Sequence, residues 1–98
     1  MANQYVTNEV RAKLESVGLI PEDREPSEPL QGMQLLITGE TKLEKNRFSI
    51  FHMPKDREGQ EYKIILQGRE GQAIVDKTSS LEEAIAILCS EYSKRKRG

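Results

Sequence analysis

The stretch 47-RFSIFHMPKDREGQEYKIILQGREGQAIVD-76 places apolar side chains at every second position and is broken twice by polar, turn-forming residues. Phe48 and Ile50, then Tyr62, Ile64 and Leu66, then Ala73 and Val75 repeat with a period of two, which is the spacing of a pleated strand. Residues 47–53, 61–67 and 72–76 therefore read as strands, with 54–60 as a loop. Residues 33–38 form an earlier strand, across a turn spanning 39–46. Connections this short join antiparallel neighbours only. The expected sheet is an antiparallel meander of three or four strands within residues 33–76.

After the sheet the spacing changes to that of a helix. Ser79 and Ser80 each have a glutamate three residues on, Glu82 and Glu83, so either register supplies a capping box. Leu81, Ala84, Ile85, Leu88 and Tyr92 then share one face, with Ile87 and Cys89 at its margins. A helix over 79–93 is expected to lie across one face of the sheet. Residues 94–98 form a basic tail containing Lys94, Arg95, Lys96 and Arg97.

Ahead of the sheet the patterns are shorter. Within residues 1–19, Val6, Val10, Leu14 and Val17 fall on one helical face. Thr7 or Asn8 can accept from the first free N–H groups. Gly18 suits the left-handed position after the last turn, with Leu19 folding back onto Leu14. Residues 20–32 hold Pro21, Pro26 and Pro29 among Glu22, Asp23, Glu25 and Glu28. Each proline removes a donor and disfavours helix in the residue before it, so this segment is an acidic, extended connector. The fold class is α+β within one domain, residues 1–98: N-terminal helix, antiparallel meander, C-terminal helix on one sheet face.

Alternation also assigns the two faces. Leu35, Ile37, Phe48, Ile50, Tyr62, Ile64, Leu66, Ala73 and Val75 are expected under the C-terminal helix. Leu36, Phe51, Ile65 and Ile74 fall on the other side, among Gln34, Ser49, Lys63 and Gln72. Four large apolar groups on a wet face make a patch of a few hundred Å², the size that marks a covered or binding surface. Either the N-terminal helix crosses over to cover them, or a protein partner or second copy of the chain does, or they are simply exposed, as scattered surface apolar groups often are.

Composition sets limits on function. The chain has 98 residues, enough to bury roughly 65% of its surface around one core. A single cysteine, Cys89, leaves no intrachain disulfide and fits a reducing, cytoplasmic setting. The first residues lack the basic and apolar regions of a secretory leader, and no apolar run approaches the roughly 20 residues that span a bilayer. Membrane association is not expected.

Catalytic constellations are sparse. His52 is the one histidine, so no His/Cys cluster reaches the ligand count of a zinc site. A Cys89–His52 nucleophile–base pair is conceivable, yet a thiol in an Ala-Ile-Leu-rich helix is ordinarily a small buried group. Glu82 and Glu83 are accounted for by the helix start. Gly68-Arg69-Glu70-Gly71 has the G-x-x-G form that clamps nucleic-acid backbone between two helices, but here it joins strands and reads as a hairpin turn. No Walker loop comes after any strand. No catalytic residue, metal or cofactor is expected.

Nucleic-acid contact is the competing expectation. Lys42, Lys45, Arg47, Lys55 and Arg57 could join Lys94, Arg95, Lys96 and Arg97 in a discontinuous basic rim. Net charge weighs against it. The overall value is −1, and removing four of the 15 cations leaves 11 against 16 anions, a body charge of −5. The order helix, strands, helix occurs in double-stranded-RNA-binding domains, but Leu81-Glu82-Glu83-Ala84 would repel phosphate where that module needs cations. The favoured expectation is a small non-catalytic protein-binding module, a regulator, inhibitor or accessory subunit, in contact through Leu36, Phe51, Ile65 and Ile74.

Overall fold

In the computed structural model, residues 3–42, 45–54, 59–68 and 73–97 are described. The elements are α1 (Asn8–Val17), β1 (Leu19–Pro21), β2 (Gln34–Thr41), β3 (Arg47–His52), β4 (Tyr62–Gln67), β5 (Ala73–Thr78) and α2 (Leu81–Arg97). Arg69, Glu70 and Gly71 of the expected turn and most of the loop 54–60 lie outside the described residues. The class is α+β, as alternation and helical spacing imply, with five strands where three or four are expected.

The sheet runs β1-β2-β3-β4-β5, every neighbour antiparallel. The added strand, β1, comes from the proline connector and pairs Leu19, Ile20 and Pro21 with Thr41, Glu40 and Gly39. Pro21 is tolerated because β1 is an edge, where a missing N–H breaks no ladder bond. β2 correspondingly continues through Gly39 to Thr41, residues expected in a turn.

Both helices lie on one side of this sheet. α1 begins at Thr7, whose Oγ1 accepts from the Val10 N–H at 3.2 Å, and ends at Gly18, with φ of 98°. Its Leu14 is fully buried, with Leu19 beside it in the same core cluster as Phe48, Ile50, Ile64, Leu66, Ala84 and Leu88. α1 packs on β1 and on α2, while α2 packs on β4 and β5. The N-terminal helix therefore does not cross over to the opposite sheet face.

α2 starts where its cap is expected, in the second of the two registers. Ser80 Oγ accepts from the Glu83 N–H at 3.1 Å. The Glu83 carboxylate turns away from the cap and accepts from the buried Thr78 hydroxyl, tying the end of β5 to the helix. The helix runs to Arg97, so the four cations form its last turn rather than a tail beyond it. Cations there offset the negative end of the helix dipole.

A β-bulge resets the faces. The β2–β3 register steps from Leu35↔Phe51 to Ile37↔Ile50, leaving Leu36 without a partner. An extra residue in one strand puts two consecutive side chains on the same side, and Leu36 and Ile37 are both buried in the core. The unpaired Leu36 carbonyl accepts from Asn3 Nδ2 at 2.5 Å, and Asn3 Oδ1 accepts from the Tyr5 N–H at 2.8 Å. Asn3, 4% exposed, thus fastens the N-terminal segment to the bulge. Asn3→Ala would strand a buried carbonyl and should cost about 2 kcal/mol, read as a lowered midpoint in urea unfolding at unchanged slope.

Candidate functional site

The sheet face away from the helices is the candidate surface, and the pairing registers fix which side chains occupy it. Phe51 stands beside Lys63 and Lys77 across β3, β4 and β5, and Ser49 beside Ile65 and Val75 one row along. Leu35, paired with Phe51, joins the first row.

Two of the four expected contact residues are therefore on this face and two are not. Phe51 and Ile65 are half-buried there. Leu36 is 2% exposed and belongs to the core, turned inward by the bulge. Ile74 pairs with buried Leu66 and packs against the core from the helix side. Val75, 55% exposed, takes its place on the open face with Ala73, opposite to what alternation from β4 suggests. The missed residues, Leu35 and Val75, carry no distinguishing signal: Leu35-Leu36-Ile37 and Ile74-Val75 are runs in which neighbouring positions are equally apolar.

The open face divides into two halves. Toward β1, Arg47 Nη1 lies 3.5 Å from Glu22 Oε1 and donates to Thr38 Oγ1 at 3.2 Å, while Nη2 is 4.0 Å from Glu40. Arg24 closes the cluster at 3.3 Å from Glu22 Oε2. Under it Thr38 is buried, donating to the Phe48 carbonyl at 2.9 Å. These ion pairs are partly exposed and each contributes about 1 kcal/mol or less, but they roof that half of the face. Toward β5 no such roof exists among the described residues, and Phe51, Ile65 and Val75 form an apolar strip edged by Lys63 and Lys77.

The expected basic rim is not brought together as a phosphate site. Arg47 is held among carboxylates, Lys42 and Lys45 are exposed, and Lys55 and Arg57 lie outside the described residues. Lys94 sits 3.6 Å from Glu91 one turn back on α2. Arg95, Lys96 and Arg97 are placed by the helix backbone alone.

His52 and Cys89 have separate neighbours. His52 Nε2 lies 3.6 Å from Glu61 Oε1, with its ring stacked on Tyr62 at 4.9 Å between centroids. Cys89 Sγ donates to the Lys13 carbonyl at 3.8 Å. Burial pushes the Cys89 thiol above its ordinary value, and the Lys13 charge offsets this only in part. A thiol so held is neutral near pH 7 and a poor nucleophile. Iodoacetamide should therefore modify native Cys89 more slowly than the urea-unfolded chain at mildly alkaline pH, as mass spectrometry would record. Because the folded thiol ionises later than the unfolded one, stability is fully present below the unfolded value and declines as pH rises through the folded one.

Among the described residues no three His, Cys, Asp or Glu side chains gather as a metal ion requires, and no helix is long and apolar enough to cross a membrane. Comparison with protein-family models, with curated proteins and with solved structures found no match for the chain.

Proposed function

We propose that this protein is a small non-catalytic protein-binding module, a regulator, inhibitor or accessory subunit, whose contact surface is the β3–β5 half of its open sheet face. The supporting observation is the placement of both helices on one side, which leaves Phe51, Ile65 and Val75 facing solvent on the other. A strip of this kind, apolar at its centre and cationic at its edge, has the composition of an interface core with a polar rim. A partner or second copy carrying an apolar surface flanked by carboxylates would match it. Cys89, neutral and half-buried, and His52 have separate neighbours and give little support to catalysis. The single cysteine fits a cytoplasmic setting.

The alternative, phosphate contact through Lys42, Lys45, Arg47, Lys55, Arg57 and Lys94 to Arg97, has less support. Arg47 is already engaged by Glu22 and Glu40, and the terminal cations are accounted for as the last turn of a helix.

The test compares the full chain with a Phe51→Glu, Val75→Glu double variant in sedimentation velocity and in affinity capture from extracts of the source cell. Both forms should share the same circular dichroism. Self-association or a stoichiometric partner present with the parent chain and lost with the variant is the expected result. The same mass and the same captured proteins for both forms would remove the sheet face as the contact surface.

A further inference from the structure

We propose that the groove between α1 and α2, on the side of the molecule away from the open sheet face, takes an amphipathic helix of a partner protein lying antiparallel to both helices. The groove is independent of the sheet-face contact and arises from a mismatch of widths. Five strands at about 4.8 Å span about 24 Å, whereas two helices packed at about 10 Å cover about 20 Å. α1 sits over β1 and α2 over β4 and β5, and between them a cleft of about 700 Å³ remains.

Its walls repeat at helical spacing. Val10 and Val17 line it from α1, and Leu81, Ile85 and Cys89 from α2, over a length of about 12 Å or two turns. These i, i+7 and i, i+4, i+8 spacings keep each wall's apolar groups on one helical face, between which a third helix can lay its own apolar face. Ser16 and Ala86 keep the walls low enough for a backbone to approach.

The connections set the direction. β1 and β5 run the same way, being separated by four antiparallel pairings. α1 enters β1 through Gly18 alone and α2 leaves β5 through Ser79 and Ser80, so each helix reverses on its strand and the two run parallel. The Cys89–Lys13 hydrogen bond sets their register. Glu9 and Glu82 then lie toward the end of the groove where both helices start, and Lys13 toward the other. None of these three is in an ion pair with another described residue.

Charge order identifies the occupant. Helices favour acidic side chains in the first turn and basic ones in the last. A helix laid antiparallel to α1 and α2 would bring its acidic start to Lys13 and its basic end to Glu9 and Glu82. A fatty acid would satisfy Lys13 but set its tail against two carboxylates, and a uniformly basic helix would meet Lys13.

Two synthetic Ala/Leu helices of about four turns provide the probe, one with Glu in the first turn and Lys in the last, the other with these reversed. Each is titrated into the isotope-labelled full chain while backbone amide shifts are recorded. The first peptide should shift Val10, Lys13, Ala86 and Cys89 and bind about tenfold more tightly than the second. A Glu9→Lys, Lys13→Glu, Glu82→Lys variant with unchanged circular dichroism should invert that preference. Equal binding of both peptides, no shift at these amides, or shifts confined to Phe51 and Val75 would overturn the proposal. So would tighter binding of dodecanoate, or concentration-dependent shifts at the same amides without peptide, which would assign the groove to a lipid or to a second copy.

Discussion

Leu36→Asp should remove most of the fold's stability, whereas Val75→Asp should leave stability nearly unchanged. Leu36 is 2% exposed, inside a cluster with Ile37 and Ile50. Among the described residues no cation is buried in the core to pair with a carboxylate there, and an uncompensated buried charge costs about 4 kcal/mol or more. Small domains are stable by only about 5–15 kcal/mol, so the variant should lose most of its dispersed amide spectrum and unfold at low urea. Val75 is 55% exposed on the open face, where surface substitutions change stability by about 0.5 kcal/mol. Strict alternation along β2 and β5 predicts the opposite ranking, with Val75 inside and Leu36 outside. Urea titrations of the two single variants thus decide whether the bulge exists in solution. A stable Leu36→Asp protein would mean the β2–β3 register runs without it.

That contrast also locates where the sequence is legible. α2 is readable because its signals agree: a serine cap, acidic first turn, and Ala84, Ile85, Leu88 and Tyr92 spaced for one buried face. The central strands are readable for a similar reason, since Phe48, Ile50, Ile64 and Leu66 alternate along clearly bounded runs. The period of two fails where adjacent residues are both apolar. In Leu35-Leu36-Ile37 a single inserted residue reverses every side chain beyond it, and nothing in three consecutive aliphatics marks which one is extra. In Ile74-Val75 the choice is made by long-range pairing with Leu66 and Ile65, and by the Thr78–Glu83 contact that fixes how β5 enters α2. β1 is hidden because three residues ending in proline are too few for a period, and their partners, Gly39 to Thr41, look like a turn.

The candidate site inherits these limits. Phe51 and Ile65 are assigned to the open face by alternation because both sit in well-patterned strands. Leu36 and Ile74 are misassigned because they sit in unpatterned ones. The same bulge that removes Leu36 from the surface creates the buried carbonyl that recruits Asn3, so one irregularity both narrows the apolar strip and anchors the N-terminal segment. The strip shifts toward β4 and β5, next to Lys63 and Lys77, while Arg47 is taken up by Glu22 and Glu40. An acidic partner is thus suggested by the local chemistry of the face rather than by net charge, which is −1 for the whole chain.

Gly39→Ala should destabilise the fold by about 3 kcal/mol, the upper part of the range for overpacking a tightly filled site. Glycine inside a strand ordinarily weakens it and marks a close backbone approach, and Gly39 is such a place. It faces Pro21 on β1 and Phe48 on β3. A Cβ at this position would run into the Ile20 carbonyl oxygen on one side. On the other it would lie 2.7 Å from Phe48 Cζ and 2.8 Å from Cε2. The ring is fully buried and surrounded by core side chains, so it cannot swing clear, and the clash must be relieved by moving β1. The short edge strand would then lose its pairing with β2, and Leu19 would be drawn from the core. Hydrogen exchange should report this as faster exchange at Glu22 and Lys42, whose amides donate across the β1–β2 seam to the Thr38 and Gly18 carbonyls, with the β3–β4 amides losing protection only through the global change. Phe48→Leu in the same chain removes one clash but not the carbonyl contact, so the double variant should be less destabilised than the sum of the singles. An additive result would mean that the ring does not constrain Gly39, and a neutral Gly39→Ala that β1 does not approach β2 this closely.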